Sequence, residues 1–161
     1  MYFNNETVLY LDGKFVKASE STTDLYGQTL HYGYGAFEGI RSYETEHGTK
    51  VFKAEEHYER LKKSCELVKI PLDYTVQELV EATYELLEKN NLKNAYIRPL
   101  VYCAPNMSLT KPTSVSLMIA VWDWGAYLGE KLLRLTVSSY CRPHPKSIHI
   151  EAKICGHYVN S

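Results

Sequence analysis

The eleven residues from His31 to Arg41 read HYGYGAFEGIR. Three glycines, two tyrosines, a phenylalanine, a glutamate and an arginine form a mixture that neither a packed core strand nor a solvated loop selects. The glycines let backbone approach a ligand closely, and Phe37 and Tyr32 have the character of walls around an apolar side chain. A place in the core is the competing reading for Phe37. Arg98, set among β-forming residues in YIRPL, is costly to bury without an anion. Lys153 in EAKICG brings a different chemistry, because an amine becomes nucleophilic when burial or cationic neighbours depress its pKa. Taken alone, Lys153 reads as a solvated strand-end side chain, Arg60 as a surface charge and Tyr158 as a half-buried aromatic.

Composition bounds what these residues can serve. The chain has 161 residues, 45% of them apolar, enough to bury a core in one domain or in one domain and part of another. Eighteen basic against nineteen acidic residues leave a net charge of −1 with no Lys/Arg cluster, which argues against nucleic acid as a partner. The N-terminus MYFNNETVLY lacks the pattern of a signal peptide and no apolar run is long enough to span a membrane, so a cytoplasmic protein is expected. Cys65, Cys103, Cys141 and Cys155 are scattered without a C-x-x-C pair, pointing to neither a metal site nor a disulfide framework. Fourteen tyrosines against four phenylalanines are the anomaly, and amphipathic rings suit a pocket wall as well as a core edge.

The elements that must position these residues form an α+β pattern. VLYLDGKFVKA reads as a hairpin closed by Asp12-Gly13, and AFEGIRSYETEHGTKVFKA as a second hairpin around His47-Gly48. In AEEHYERLKKSCELVKI, Tyr58, Leu61, Cys65 and Val68 share one helical face, and Pro71 stops the helix. TVQELVEATYELLEKNN predicts a second helix, opened by a Thr75/Glu78 capping box, with Val76, Leu79, Val80, Thr83, Leu86 and Leu87 inward. AYIRPLVYC, SVSLMIAVW and LLRLTVSSY read as strands, with Pro99 requiring an edge or a bulge in the first. The glycines of DWGAYLGEK mark a domain boundary, giving a small α+β domain over 1–122, a link over 123–131 and the start of a second domain over 132–161. About thirty residues are too few for an independent core, so the second domain reads as incomplete.

HYGYGAFEGIR, HYERL with Arg60, AYIRPLVY, WGAYLG and AKICGHYVNS, in this order and at these separations, resemble the branched-chain amino acid aminotransferases. These are the class IV, fold-type IV pyridoxal-phosphate enzymes, and WGAYLG is more similar to them than to D-amino acid aminotransferases or aminodeoxychorismate lyases. The resemblance implies the N-terminal half of such an enzyme: its small domain and the opening strands of its cofactor domain. It also implies pyridoxal 5'-phosphate as cofactor, with Lys153 as Schiff-base lysine and proton carrier, Arg60 on the phosphate and Tyr158 on the ring oxygen. Phe37, Tyr96, Trp124 and Tyr127 would line the substrate pocket, with Tyr32 reaching it from the neighbouring subunit of a homodimer, and Arg98 would answer the side-chain carboxylate of glutamate. Glu38 and Arg41 are expected to be local ion-pair partners that shape the site.

The implied reaction is transamination between leucine, isoleucine or valine and 2-oxoglutarate, within branched-chain amino acid metabolism and biosynthesis. Its partners are small amino acids and 2-oxo acids. Ile154, Cys155 and His157 depart from the small or amide residues common in the family, and Cys155 is expected to be a bystander. The 161-residue chain alone is expected to be inactive, since parts of the family's site lie beyond it. A short noncatalytic interaction module keeping the small-domain fold is the alternative of a different class.

Overall fold

The computed structural model describes residues 2–125, 129 and 132–161. A seven-stranded antiparallel sheet carries two long helices on one face. Strand β1 (Val8–Leu11) turns into β2 (Lys14–Lys17) through Asp12 and Gly13, both at positive φ, the geometry that matches the twist of a two-residue hairpin. A five-residue helix, α1 (Gln28–Tyr32), ends at Gly33 in the left-handed region and leads into β3 (Gly35–Phe37). Strands β4 (Ile40–Thr45) and β5 (Gly48–Val51) form the second hairpin. The single long strand expected from Ala36 onward is in fact two, broken at Glu38-Gly39.

Helix α2 (Ala54–Leu67) buries Tyr58, Leu61 and Cys65 as its periodicity predicts, and ends ahead of Pro71 with Lys69 at positive φ. Helix α3 (Val76–Lys89) opens with the complete capping box: Glu78 N–H donates to the Thr75 hydroxyl while the Glu78 carboxylate accepts from the Thr75 backbone. Leu79, Thr83, Leu86 and Leu87 are buried against the sheet, and the Tyr58 hydroxyl meets that of Thr83 between the helices.

Strands β6 (Ala95–Cys103) and β7 (Val115–Asp123) pair along their whole length at the centre of the order β2-β1-β7-β6-β4-β5, with β3 also on β6. Pro99 therefore lies in an interior strand, not at an edge. Its carbonyl accepts Glu38 N–H at 3.0 Å, so its backbone faces the gap between β3 and β4, where no ladder donor is required of it. The break at Glu38-Gly39 is what admits a proline here.

The run LLRLTVSSY does not form the expected strand. Residues 132–138 have no ladder partner, and Leu132, Leu135 and Val137 are almost fully exposed. β-propensity reports fit to a pleated neighbour, and this run meets none among the described residues.

Candidate active site

Alternation along β6 sorts its side chains into two sets. Ala95, Ile97, Val101 and Cys103 are buried under α2 and α3, while Tyr96, Arg98, Leu100 and Tyr102 project half-buried from the opposite face. Register then brings neighbours to that open face: Trp122 beside Tyr96, Met118 and Phe37 beside Leu100, and Arg41 beside Tyr96. The rings of Tyr96, Trp122 and Trp124 form a cluster with centroids 4.9 Å apart from Tyr96 to each tryptophan. Gly39 leaves room for it, since a Cβ there would lie 2.2 Å from the Tyr96 hydroxyl and would displace that ring.

Lys153 reaches the same face from a distant part of the chain. Phe37 N–H donates to the Lys153 carbonyl at 3.1 Å, Ile154 bridges Ala36, and Gly156 N–H donates to the Gly33 carbonyl at 3.0 Å. A Cβ on Gly33 would come within 2.7 Å of Gly156 Cα, so the glycines of the opening motif make room for the lysine turn. From the helix layer, the buried Ser64 hydroxyl accepts Lys153 N–H at 2.9 Å. Ser64 follows Arg60 by one helical turn, so a single face of α2 presents both.

The Lys153 ammonium donates to the Tyr158 hydroxyl at 2.6 Å and lies 4.5 Å from the centre of the Phe37 ring. Arg98 stands over that same ring at 4.8 Å and donates to the Tyr96 hydroxyl at 2.9 Å, with its Nε buried and unpaired. Two cations sharing one ring repel each other and suit an anion between them. Arg142 adds a third positive charge 4.9 Å over the Tyr158 ring.

Arg60 is clasped by Glu38, a wholly buried carboxylate: Nε donates to Oε1 at 2.6 Å and an Nη to Oε2 at 2.7 Å. These bonds raise the Arg60 pKa above its already high ordinary value. His57 Nδ1 donates to the same carboxylate at 2.9 Å. The expected local partnership of Glu38 with Arg41 is corrected by this arrangement, for Arg41 instead donates to the carbonyls of Trp124 and Gly125 at 2.6 and 3.2 Å. On β4, Arg41 projects from the open face toward the end of β7, whereas Glu38 lies in the strand break facing α2.

Of the candidate residues, the fold gathers Lys153, Tyr158, Phe37, Arg98, Tyr96 and Trp124 in one region and sets Arg60 beside it through Glu38. Tyr32 is not brought to the Phe37 ring; it is exposed, its hydroxyl donating to the Met107 carbonyl at 3.2 Å. Tyr127 lies outside the described residues. Cys155 sits next to Lys153, but burial pushes its thiol up despite the nearby Arg98 and Lys153 charges, which makes it a poor nucleophile. Sequence reasoning missed Ser64 and His57 as partners of the site. Their signal was spacing: His57, Arg60 and Ser64 stand three and four residues apart, a polar stripe beside the apolar face of Tyr58, Leu61 and Cys65.

The family model for class IV amino-transferases matches residues 35–161. A branched-chain-amino-acid aminotransferase from Pseudomonas aeruginosa is 38% identical over 98% of this chain and 53% of its own. The crystal structure of the Escherichia coli branched-chain amino acid aminotransferase superposes with a TM-score of 0.90 at 35% identity, covering 96% of this chain and 53% of that one. A branched-chain aminotransferase from the thermophilic archaeon Thermoproteus uzoniensis, solved with norvaline, also gives a TM-score of 0.90, at 34% identity with 96% and 53% covered. A further branched-chain amino acid aminotransferase, complexed with N-(5'-phosphopyridoxyl)-L-glutamate, gives a TM-score of 0.87 at 32% identity, with 96% and 52% covered. The chain thus spans about half the length of the relatives it matches.

Proposed function

Because the chain belongs to the class IV aminotransferases, we propose that it supplies the lysine-bearing part of a site for the pyridoxal-phosphate-dependent transfer of an amino group between branched-chain L-amino acids and 2-oxoglutarate. The observation that carries this reading is the Lys153 amine, hydrogen-bonded to Tyr158 and set over Phe37 beside the half-satisfied guanidinium of Arg98. The donor set fits pyridoxal 5'-phosphate: an amine to carry it, a phenol next to that amine for its ring oxygen, and an arginine for its phosphate. When bound, the cofactor supplies the electron sink that such chemistry requires. The relative solved with a phosphopyridoxyl-glutamate adduct supports the same assignment.

With the cofactor bound, Lys153 Nζ would anchor it and would be placed to carry the proton from the substrate α-carbon. Tyr158 keeps the amine oriented through its hydroxyl. The Tyr96, Trp124 and Phe37 rings exclude water and accept an aliphatic side chain, and Tyr127 belongs to the same wall by resemblance. Arg98 pairs with the carboxylate of a glutamate side chain, so one pocket takes both substrates. Tyr32, exposed on α1, completes the pocket of a second copy in a homodimer. Among the described residues no helix is long and apolar enough to cross a membrane, and the four free cysteines suit a reducing, cytoplasmic setting.

Borohydride reduction of the cofactor-loaded protein followed by peptide mapping tests the reading. The pyridoxyl adduct is expected on Lys153; an adduct on Lys146 or another lysine overturns it.

A further inference from the structure

The most heavily bonded polar side chain near the site belongs to a residue that resemblance leaves without a role of its own. Glu38 is fully buried where β3 breaks from β4, and every oxygen of its carboxylate is engaged. Oε1 accepts Arg60 Nε, while Oε2 accepts an Arg60 Nη, His57 Nδ1 and, at 3.3 Å, Gly39 N–H. A wholly buried carboxylate with both oxygens engaged presents no open side to a further cation. Arg60 differs. Its side chain is 52% exposed, and a guanidinium carries more N–H donors than one carboxylate fork uses.

The pairing therefore has an inside and an outside. On the inside, the fork fixes the plane of a long side chain that would otherwise lose several rotamers to bind anything. On the outside, about half of the Arg60 side chain is open to solvent, and Tyr158 is near enough to contribute to its electrostatic environment. A simple strut between α2 and the sheet would need only the buried half of this arrangement. His57, one turn before Arg60 on α2, adds a further bond to Oε2 from the same helix.

We propose that Glu38 is the positioning residue for anion capture by Arg60, holding the guanidinium in a fixed plane so that its outward donors grip the phosphate of the cofactor. His57 completes the carboxylate's shell. The proposal rests on the cofactor reading above and adds to it a division of labour: Arg60 touches the phosphate and Glu38 acts through Arg60.

The test compares pyridoxal 5'-phosphate with pyridoxal, which shares the ring and the carbonyl but lacks the phosphate. Binding of each to the purified protein, wild type, Glu38→Gln and Glu38→Asp, is followed by absorbance, and the Arg60 Nε–H resonance is observed by NMR without cofactor. Loss of the Glu38 charge is expected to weaken pyridoxal 5'-phosphate about tenfold, the scale on which outer hydrogen-bond partners act at bound ions, with pyridoxal unchanged. The Arg60 resonance should lose its protection from solvent in step. Glu38→Asp keeps the charge and the fold but draws the carboxylate back, and should show a smaller loss of the same kind. Equal weakening of both ligands in whichever variant folds assigns Glu38 to the fold and overturns the proposal. So does a full phosphate preference in Glu38→Asp with a mobile Arg60. A wild-type protein that prefers neither ligand overturns the cofactor reading itself, a result distinct from loss of the Glu38 effect.

Discussion

Ile97 and Arg98 are adjacent in the chain and opposite in environment. Ile97 lies wholly buried among Leu79, Leu86, Ile119 and the other side chains under the helices. Arg98 lies on the far side of the same strand, stacked on Phe37 and Tyr96 with a buried donor unpaired. The helix-side face is apolar and closely packed, whereas the open face keeps cations, amphipathic rings and unmade hydrogen bonds. A strand has one backbone but two chemistries, and stability and binding are divided between them by alternation alone.

That division can be broken from either side. The largest effect expected is on the packed face: Ile97→Ala should cost about 3 kcal/mol of unfolding free energy, the usual range for emptying a full core site, read from denaturant melts. If the two faces are separate in function, any cofactor bound below the melting transition should stay bound with little change. Next comes Arg98→Ala on the open face. It should leave the melts nearly unmoved yet weaken the 2-oxoglutarate half-reaction more than the leucine half-reaction by about 2 kcal/mol, as expected when one partner of a desolvated charge pair is removed. Equal losses in both half-reactions would place Arg98 with the core instead.

The smallest effect sharpens the comparison at the edge of the open face. His157 is buried in the turn that carries Lys153, and burial lowers its pKa below the ordinary value of 6.5. Its folded state thus prefers the neutral ring, so the stabilisation is complete above pH 6.5 and is lost as pH falls through the lowered value. Stability measured across that acidic window should fall in the wild type and be flatter in His157→Asn. A matching slope in both would assign the acid sensitivity to other groups.

Much of this fold is legible in sequence where the signal is local. The apolar stripes of α2 and α3, the Thr75/Glu78 box and the Asp12-Gly13 turn each follow from residues within a turn or two of one another. Helix α1 escaped because five residues with a glycine N-cap carry neither period nor capping side chain. The run LLRLTVSSY misled because β-rich composition does not itself supply a neighbouring strand. Lys153, Arg98 and Phe37 were legible as chemistry, and resemblance grouped them. Their support was not: Ser64 under Lys153 and Glu38 behind Arg60 are meetings across 89 and 22 residues that no periodicity encodes.

The bridge from Ile154 to Ala36 has a further consequence, one of order in time. It joins residues far apart in sequence, so it closes a far longer loop than the hairpins or the α2–α3 pair, and loop-closure entropy delays such contacts. It is also short, a few backbone bonds beside a sheet whose β6–β7 ladder runs nine residues. Within the described residues, this contact is therefore expected to form after the local hairpins. Any ligand that bonds to Lys153 and Arg60 together would tie that contact to helix α2, and the protein would gain local rigidity from its cofactor.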